Sequence, residues 1–191
     1  MSKKYELVVD DTITLWGWKL FRIKALIRFG SVDAGDLGGY VCTEDNLSQE
    51  GDAWVSGNAK VSGDAKVWGN AEVSGDAKVW GNAEVSGNAK VWGDAKVWGN
   101  AEVWGNAKVW GNAEVSGDAK VSDFEDVIVF KNHWSSGRHF TYTKSNKMWR
   151  VGCFYGTGQE LIDKAYRDSE KSGNFYKAYV EFIASLEGLG E

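Results

Sequence analysis

The chain has 191 residues, a formal net charge of −5, eleven tryptophans and no proline. The mildly acidic charge argues against a whole-protein nucleic-acid binder, because such proteins present excess basic charge to phosphates. Two cysteines, Cys42 and Cys153, are too few for a disulfide framework and lack the spacing of a zinc site, so we expect free thiols. The sequence shows neither a signal segment nor an apolar run of membrane-spanning length. We therefore expect a cytoplasmic protein with no membrane partner.

The first fifty residues are predicted to form an N-terminal β cap. The stretch Tyr5–Gly30 alternates polar with β-branched and aromatic residues, which predicts two or three strands, and Asp33–Tyr40 has the composition of turns. A repeat solenoid exposes unpaired backbone and apolar side chains at its ends. We therefore expect residues 1–50 to cover one end of the repeat array that follows.

Residues 51–122 are twelve hexapeptides without insertion. Each reads Gly, Asn or Asp, Ala, Lys or Glu, Val, and Ser or Trp, with Trp54 as the one exception at the fourth position. Within a unit, Ala and Val point to one face of a short strand, and the fourth and sixth residues point to the other. The Gly-Asn or Gly-Asp pair suits a tight corner, because these residue types tolerate positive φ. A single unit cannot bury its own valine, but stacked units can.

This template resembles the hexapeptide repeat of left-handed parallel β-helices, in which an aliphatic residue is followed four positions later by a small one, as Val61 is by Ala65. The resemblance implies three hexapeptides per triangular turn, stacking every eighteen residues and left-handed winding. Twelve units then form about four turns filled with valine and alanine. The predicted fold is therefore mainly β: a left-handed parallel β-helix (residues 51–122) with a β-rich N-terminal cap (1–50) and a small α+β C-terminal unit (123–191).

The eighteen-residue period sorts the outward side chains into columns. The predicted tryptophan columns, one per face, are Trp80 and Trp98; Trp92 and Trp110; and Trp68 and Trp104 with Ser86 between them. One face also carries a lysine column formed by Lys60, Lys78 and Lys96. Because neighbouring turns lie about 4.8 Å apart, stacked indoles touch. They either form a stabilising ladder or present an apolar interface.

We expect the interface, with at least one tryptophan face covered by another subunit or a partner protein. Proteins with hexapeptide β-helices often form trimers, so the resemblance implies a homo-oligomer. The three faces carry different columns, which leaves a trimer and a dimer both open.

Residues 123–191 are predicted to contain strands followed by two helices. Three strand-like runs, Val127–Phe130, His139–Thr143 and Met148–Phe154, precede a helix start at Thr157, where a capping box is predicted. The second helix is predicted to pack on the strands through one apolar face, formed by Tyr176, Tyr179, Val180, Ile183 and Leu186.

A basic and aromatic segment of this unit suggests an alternative function. From Lys131 to Arg150 there are five basic residues and no acidic one, interleaved with Trp134, Phe140, Tyr142 and Trp149. Such a pattern is typical of single-stranded nucleic-acid or nucleotide binding. The candidate residues for that site are Arg138, His139, Lys144, Lys147 and Arg150. The competing interpretation is a solvated hairpin whose aromatic rings face the helices.

The repeats give little support to catalysis. Hexapeptide acyltransferases use a histidine as general base, and related carbonic anhydrases hold zinc through three histidines, whereas the twelve repeats here contain neither histidine nor cysteine. The two histidines, His133 and His139, lie beyond the repeats. We predict no enzymatic activity, no catalytic residue, no metal site and no cofactor. A vestigial or unusual acyltransferase that binds acyl-CoA between subunits is the remaining enzymatic alternative.

The chain as a whole resembles a group of uncharacterised phage and prophage proteins. The resemblance rests on Leu20–Val41, on Asn46–Val55, on the repeats, and on Gly152–Thr157. It implies a phage origin and a place of action in the cytoplasm of a bacterial host cell. We expect a non-catalytic binding or scaffold protein that self-associates or binds a host protein through its β-helix faces. A host-modulating or counter-defence role fits that expectation.

Overall fold

The computed structural model describes residues 3–189. The chain divides into two compact units, residues 1–127 and 128–191. The first unit holds the N-terminal strands together with all twelve repeats, and the second holds four strands and two helices. The predicted mainly β architecture, with stacked parallel coils, a β-rich N-terminal segment and a small helical unit at the C-terminus, is confirmed.

Each hexapeptide contributes one two-residue strand, formed by its fourth and fifth residues. Strands β4 to β15 are Trp54–Val55, Lys60–Val61, Lys66–Val67, Glu72–Val73, Lys78–Val79, Glu84–Val85, Lys90–Val91, Lys96–Val97, Glu102–Val103, Lys108–Val109, Glu114–Val115 and Lys120–Val121. They stack in parallel with the predicted period, so that Lys60 pairs with Lys78 and Lys78 pairs with Lys96. The backbone N–H of each turn donates to a carbonyl of the next turn, as from Lys78 to Ala95 at 2.9 Å.

The invariant positions of the repeat have separate physical roles. Every repeat alanine and valine is at most 1 % exposed, and together these side chains form the core of the first unit. Every repeat glycine has a φ between 63° and 75°, the left-handed region that strains residues with a Cβ atom. At Gly93 a Cβ would also lie 3.0 Å from the backbone nitrogen of Gly111 in the next turn. Glycine is therefore required at the corners both by conformation and by close backbone stacking.

The solenoid begins before the first hexapeptide and has about five turns, one more than the repeats predict. Strand β3 (Leu37–Val41) pairs in parallel with β5 through Val41 and Val61, and Leu47 bridges Val67. Val41 and Leu47 are six residues apart, like successive repeat valines, but Val55 follows Leu47 by eight. The two additional residues interrupt the hexapeptide period, so the sequence shows no repeat before Gly51.

An antiparallel hairpin extends one of the three sheets. It is formed by β1 (Tyr5–Leu15) and β2 (Trp18–Ala25), and β2 also pairs antiparallel with β3. The resulting seven-stranded sheet has the order β1-β2-β3-β5-β8-β11-β14. The N-terminal strands thus continue the solenoid wall as well as adding to its core through Tyr5 and Ile23.

Two buried polar side chains satisfy backbone groups at the start of the solenoid. Asn46, in a short 3-10 helix (Glu44–Asn46), donates to the carbonyls of Gly63 and Ala65 at 2.9 and 2.8 Å. Its amide oxygen accepts from the backbone N–H groups of Cys42 and Thr43. Lys4 is 2 % exposed, and its ammonium donates to three carbonyls, those of Glu50, Gly51 and Ala53.

The second unit is a four-stranded sheet with two helices. The strands are β16 (Val127–Lys131), β17 (His139–Thr143), β18 (Met148–Val151) and β19 (Phe154–Gly156), hydrogen-bonded in that order. The helices are α1 (Gly158–Asp168) and α2 (Glu170–Glu187). The predicted capping box is present: Glu160 accepts from the backbone of Thr157, whose hydroxyl accepts from the backbone of Glu160. No helix within residues 3–189 is long and apolar enough to cross a membrane.

The packed face of α2 is narrower than predicted. Tyr176 and Ile183 are buried, and Tyr179 and Val180 pack partly against the same core. Leu186, predicted on this face, is 41 % exposed. At 3.6 residues per turn it lies about 80° around the helix from Tyr176, which places it at the edge of the packed stripe.

Candidate interaction surfaces

The solenoid presents three outward faces, each built from four stacked repeat strands. The first face consists of β5, β8, β11 and β14; the second of β4, β7, β10 and β13; the third of β6, β9, β12 and β15. On every face the fourth residue of each hexapeptide forms one column and the sixth residue forms another, which we call the charge column and the tryptophan–serine column. A rung is one turn's contribution to a face.

The first face carries a tryptophan stack that the N-terminal hairpin covers in part. Trp80 and Trp98 stack with centroids 4.8 Å apart and an interplanar angle of 4°, as the eighteen-residue period predicts. Trp16, from the turn between β1 and β2, meets Trp80 edge-on at 4.9 Å. Its φ of 49°, followed by a φ of 85° at Gly17, gives the two positive φ values typical of a tight two-residue hairpin turn. A non-glycine residue in this conformation is strained, and the contact with Trp80 helps to hold it.

Sequence reasoning placed this hairpin in the cap and missed Trp16 as part of the tryptophan surface. The available signal was the Trp16-Gly17 pair between two alternating runs, which marks a hairpin turn. Nothing in the local sequence shows where the tip of that hairpin lies, because its position depends on how β2 and β3 join the solenoid.

The lysine column of the first face is confirmed as a stack of neighbouring residues. Lys60, Lys78 and Lys96 occupy successive strands, and Lys96 forms an ion pair of 2.8 Å with Glu114. Burial lowers the pKa of Lys60, and the positive charge of Lys78 lowers it further, although Asp76 opposes both effects. The ammonium of Lys60 donates to the carbonyl of Asn58. The ammonium groups of the column therefore repel one another mildly, and a nearby carbonyl and a nearby carboxylate offset this repulsion at Lys60 and Lys96.

The second face combines a tryptophan ridge with a cleft. Trp92 and Trp110 stack with centroids 5.5 Å apart and an angle of 13°, and Trp110 is 48 % exposed. The other two rungs carry serines, Ser56 and Ser74, at the same position. Trp54, in the charge column, is buried against Tyr5 and Phe29.

Beside the serine half lies an open cleft of about 480 Å³. Its lining includes the loop of residues 30–32 together with Trp54 and Ser56. Its polar lining includes Asp52 and the ion pair between Glu72 and Lys90, whose atoms are 3.0 Å apart. The second face thus has an exposed indole at one end, and a cleft that extends from the opposite end along the charge column as far as Lys90.

The third face carries tryptophans two turns apart. Trp68 is 48 % exposed, Trp104 is half-buried, and Ser86 between them is buried. The charge column reads Lys66, Glu84, Glu102 and Lys120. The last two of these form an ion pair of 3.6 Å.

In the second unit, three of the four aromatic side chains of the basic segment belong to the core. Phe140, Tyr142 and Trp149 are at most 3 % exposed and pack with residues of both helices, as the competing interpretation states. Trp134 is 68 % exposed and stacks on Phe175. Bases stack on exposed rings, so most of the rings that the nucleic-acid hypothesis needs are already covered. Of the candidate basic residues, Arg138 and Lys147 are exposed, whereas His139, Lys144 and Arg150 are half-buried.

The described residues show no constellation for metal chemistry: within 3–189, no three or more His, Cys, Asp and Glu side chains are placed to hold a metal ion. Cys42 and Cys153 are free thiols, and burial raises the pKa of Cys42. No protein-family model and no curated protein sequence matches this chain.

Proposed function

We propose that this chain is a non-catalytic binding protein that acts through the tryptophan faces of its parallel β-helix, by self-association or by binding a host protein. The observation that carries this proposal is the Trp92–Trp110 stack, whose outer indole remains 48 % exposed. Large aromatic side chains are enriched at protein interfaces and dominate their energetics. An exposed tryptophan ridge is typical of such a surface.

The repeat itself argues that the tryptophans are not needed to form the coil. Six hexapeptides end in tryptophan and six end in serine, and both kinds form the same two-residue strand with the same glycine corner. Ladder stacking adds stability, but it does not explain an indole whose ring is half in water, as at Trp68 and Trp110. A function in binding accounts for tryptophan at those positions.

The finer features of the proposal come from the sequence resemblances. The hexapeptide pattern resembles left-handed β-helices that assemble into oligomers, and the flanking segments resemble phage and prophage proteins. In this proposal the protein acts in the cytoplasm of a bacterial host, where a host-modulating or counter-defence role suits a protein without its own chemistry.

Native mass spectrometry of the protein drawn gently from bacterial cells tests this proposal. We expect a mass above the 21.1 kDa of one chain, either a multiple of it or one chain plus a bound protein. A variant with the six tryptophans at the sixth repeat position changed to serine should keep its β-sheet circular dichroism and lose the additional mass. Trp134→Ser, outside the repeats, is the matched control and should retain it. A lone 21.1 kDa species for the unaltered chain, or additional mass that survives in the six-serine variant, would count against the proposal.

A further inference from the structure

We propose that the second face is the contact between two copies of this chain, which pack with their solenoid axes in opposite directions. The two-fold axis lies in the interface, runs parallel to the strands, and passes between β7 and β10. This inference rests on the proposed function and names the partner of that surface as a second copy. Three observations carry it: the order of large and small rungs, the order of charges, and the cleft.

The tryptophan–serine column of the second face is complementary to itself when reversed. In chain order its rungs are Ser56, Ser74, Trp92 and Trp110. A two-fold axis between the second and third rungs sets Ser74 against Trp92 of the second copy, and Ser56 against Trp110 of the second copy. Each indole then packs on a rung with a small side chain, and the pattern is satisfied twice, as a two-fold interface requires.

The two central rungs of the charge column are complementary under the same operation. Its rungs are Trp54, Glu72, Lys90 and Lys108, so Glu72 faces Lys90 of the second copy and Lys90 faces Glu72 of the second copy. These two side chains already form an ion pair within one copy at 3.0 Å. The dimer joins the two pairs into an alternating cluster of four charges. Lys108 of the second copy faces the rung of Trp54, where Asp52 supplies a carboxylate to the cleft.

The cleft includes the end of the face that has to receive Trp110 of the second copy. Its lining includes Ser56, the serine opposed by Trp110 of the second copy, together with the loop of residues 30–32. A volume of about 480 Å³ is within the range of pockets that hold drug-sized molecules, so one indole fits. The exposed ring of Trp110 and this cleft are thus a protrusion and a hollow on the same face of the same chain.

The other two faces do not have this property. Reversal of the third face sets Glu84 against Glu102 and Lys66 against Lys120, which places like charges directly opposite each other. Reversal of the first face sets Lys78 against Lys96 and stacks tryptophan on tryptophan, and Trp16 already lies on that stack. Of the three repeat faces, the second is the one that both pairs every indole with a serine and sets opposite charges against each other at its two central rungs.

The size of the face predicts a dimer of moderate affinity. Four turns span roughly 19 Å at a spacing of about 4.8 Å per turn, which places the contact at the small end of specific interfaces. We therefore expect a dissociation constant in the micromolar range, roughly 1–50 µM. A dimer of this kind is concentration-dependent and has to be measured across a dilution series.

A pair of complementary variants tests the arrangement. Ser74→Trp places an indole beside Trp92, as Trp80 lies beside Trp98, so the coil keeps its fold while two indoles now compete for one rung. Trp92→Ser leaves the opposite defect, a serine facing a serine. Each variant alone should raise the dimer dissociation constant by about 30-fold or more, because one mispaired aromatic rung has an effect of that size and the two-fold symmetry places the defect in the interface twice. Mixed in equal amounts, the two should form a heterodimer within about tenfold of the original affinity, because every rung again pairs an indole with a serine.

The readout is native mass spectrometry with sedimentation equilibrium from about 1 to 300 µM, a range that brackets micromolar dissociation constants. Ser86→Trp makes the same substitution on the third face and should leave the dimer intact. Restored heterodimer with an unaffected control supports the arrangement. Three results would overturn it. The first is a chain that stays monomeric at the highest concentration. The second is a dimer whose dissociation constant does not change in Ser74→Trp, and the third is a mixture of the two variants that forms no heterodimer. In the second and third cases self-association itself survives, so only the proposed face or its direction fails.

Discussion

Asn46→Leu should lower the free energy of unfolding of the solenoid unit by about 3–5 kcal/mol, because four buried backbone groups lose their partner. The amide of Asn46 donates to the carbonyls of Gly63 and Ala65 and accepts from the N–H groups of Cys42 and Thr43, all within 3.0 Å. The side chain is 1 % exposed, so water cannot replace these bonds. Leucine is similar in size and has no hydrogen-bonding group. The loss corresponds to a fall of roughly 10–20 °C in melting temperature for a unit of this size.

The measurement is urea unfolding followed by circular dichroism, with the two compact units fitted as separate transitions. Asn82→Leu is the matched control, since Asn82 is exposed and its amide donates only to the next asparagine of the corner, Asn100, at 3.0 Å. That control should change stability by less than about 0.5 kcal/mol. Equal effects of the two substitutions would show that the buried hydrogen bonds of Asn46 do not stabilise the solenoid unit.

The solenoid unit should become more stable relative to a Lys4→Met variant as the pH rises from 7 to 10, by about 2–3 kcal/mol. Burial lowers the pKa of Lys4 to about 8 from its usual 10.5, although the charge of Asp52 opposes this effect. The unfolded chain therefore binds more protons than the folded chain between these two values. The cost of burying the ammonium is fully present below pH 8, diminishes as the pH passes through that value, and is gone above 10.5.

Urea midpoints of both proteins across this range give the difference directly. The remaining lysines and the tyrosines titrate in both proteins, so their contributions cancel in the comparison. Lys4→Met is expected to be less stable than the parent chain at every pH, because methionine cannot donate to the carbonyls of Glu50, Gly51 and Ala53. A constant stability difference from pH 7 to pH 10 would refute the lowered pKa.

Binding by a rigid solenoid face has a physical advantage over binding by loops. Each outward side chain is held at a turn spacing set by backbone hydrogen bonds, so a column of indoles and charges has its order fixed before any partner arrives. This order can then determine binding specificity, since only a surface with the matching sequence of large, small, positive and negative rungs fits it. In the proposed dimer, the second face supplies both this order and the surface that matches it.

The sequence by itself determined the coil and its columns. Gly, Ala and Val recur without exception in twelve units. Glycine occupies the corner, where φ is positive, and alanine and valine occupy the interior, where both are buried. Because the period is strict, every hexapeptide adopts the same conformation, and equivalent residues stack from turn to turn. The stacking of Trp80 on Trp98 and of Trp92 on Trp110 follows from the period alone, and the structure confirms both.

Only the tertiary structure decided what lies outside the period. It places Trp16 on Trp80, adds the turn that contains Val41 and Leu47, and forms the cleft beside Ser56 from a loop some twenty-five residues earlier in the chain. It also turns Phe140 and Trp149 toward the helices of the second unit. These contacts join segments that share no repeat and no local spacing. Their geometry depends on how separate elements pack, which a periodic pattern within one segment does not encode.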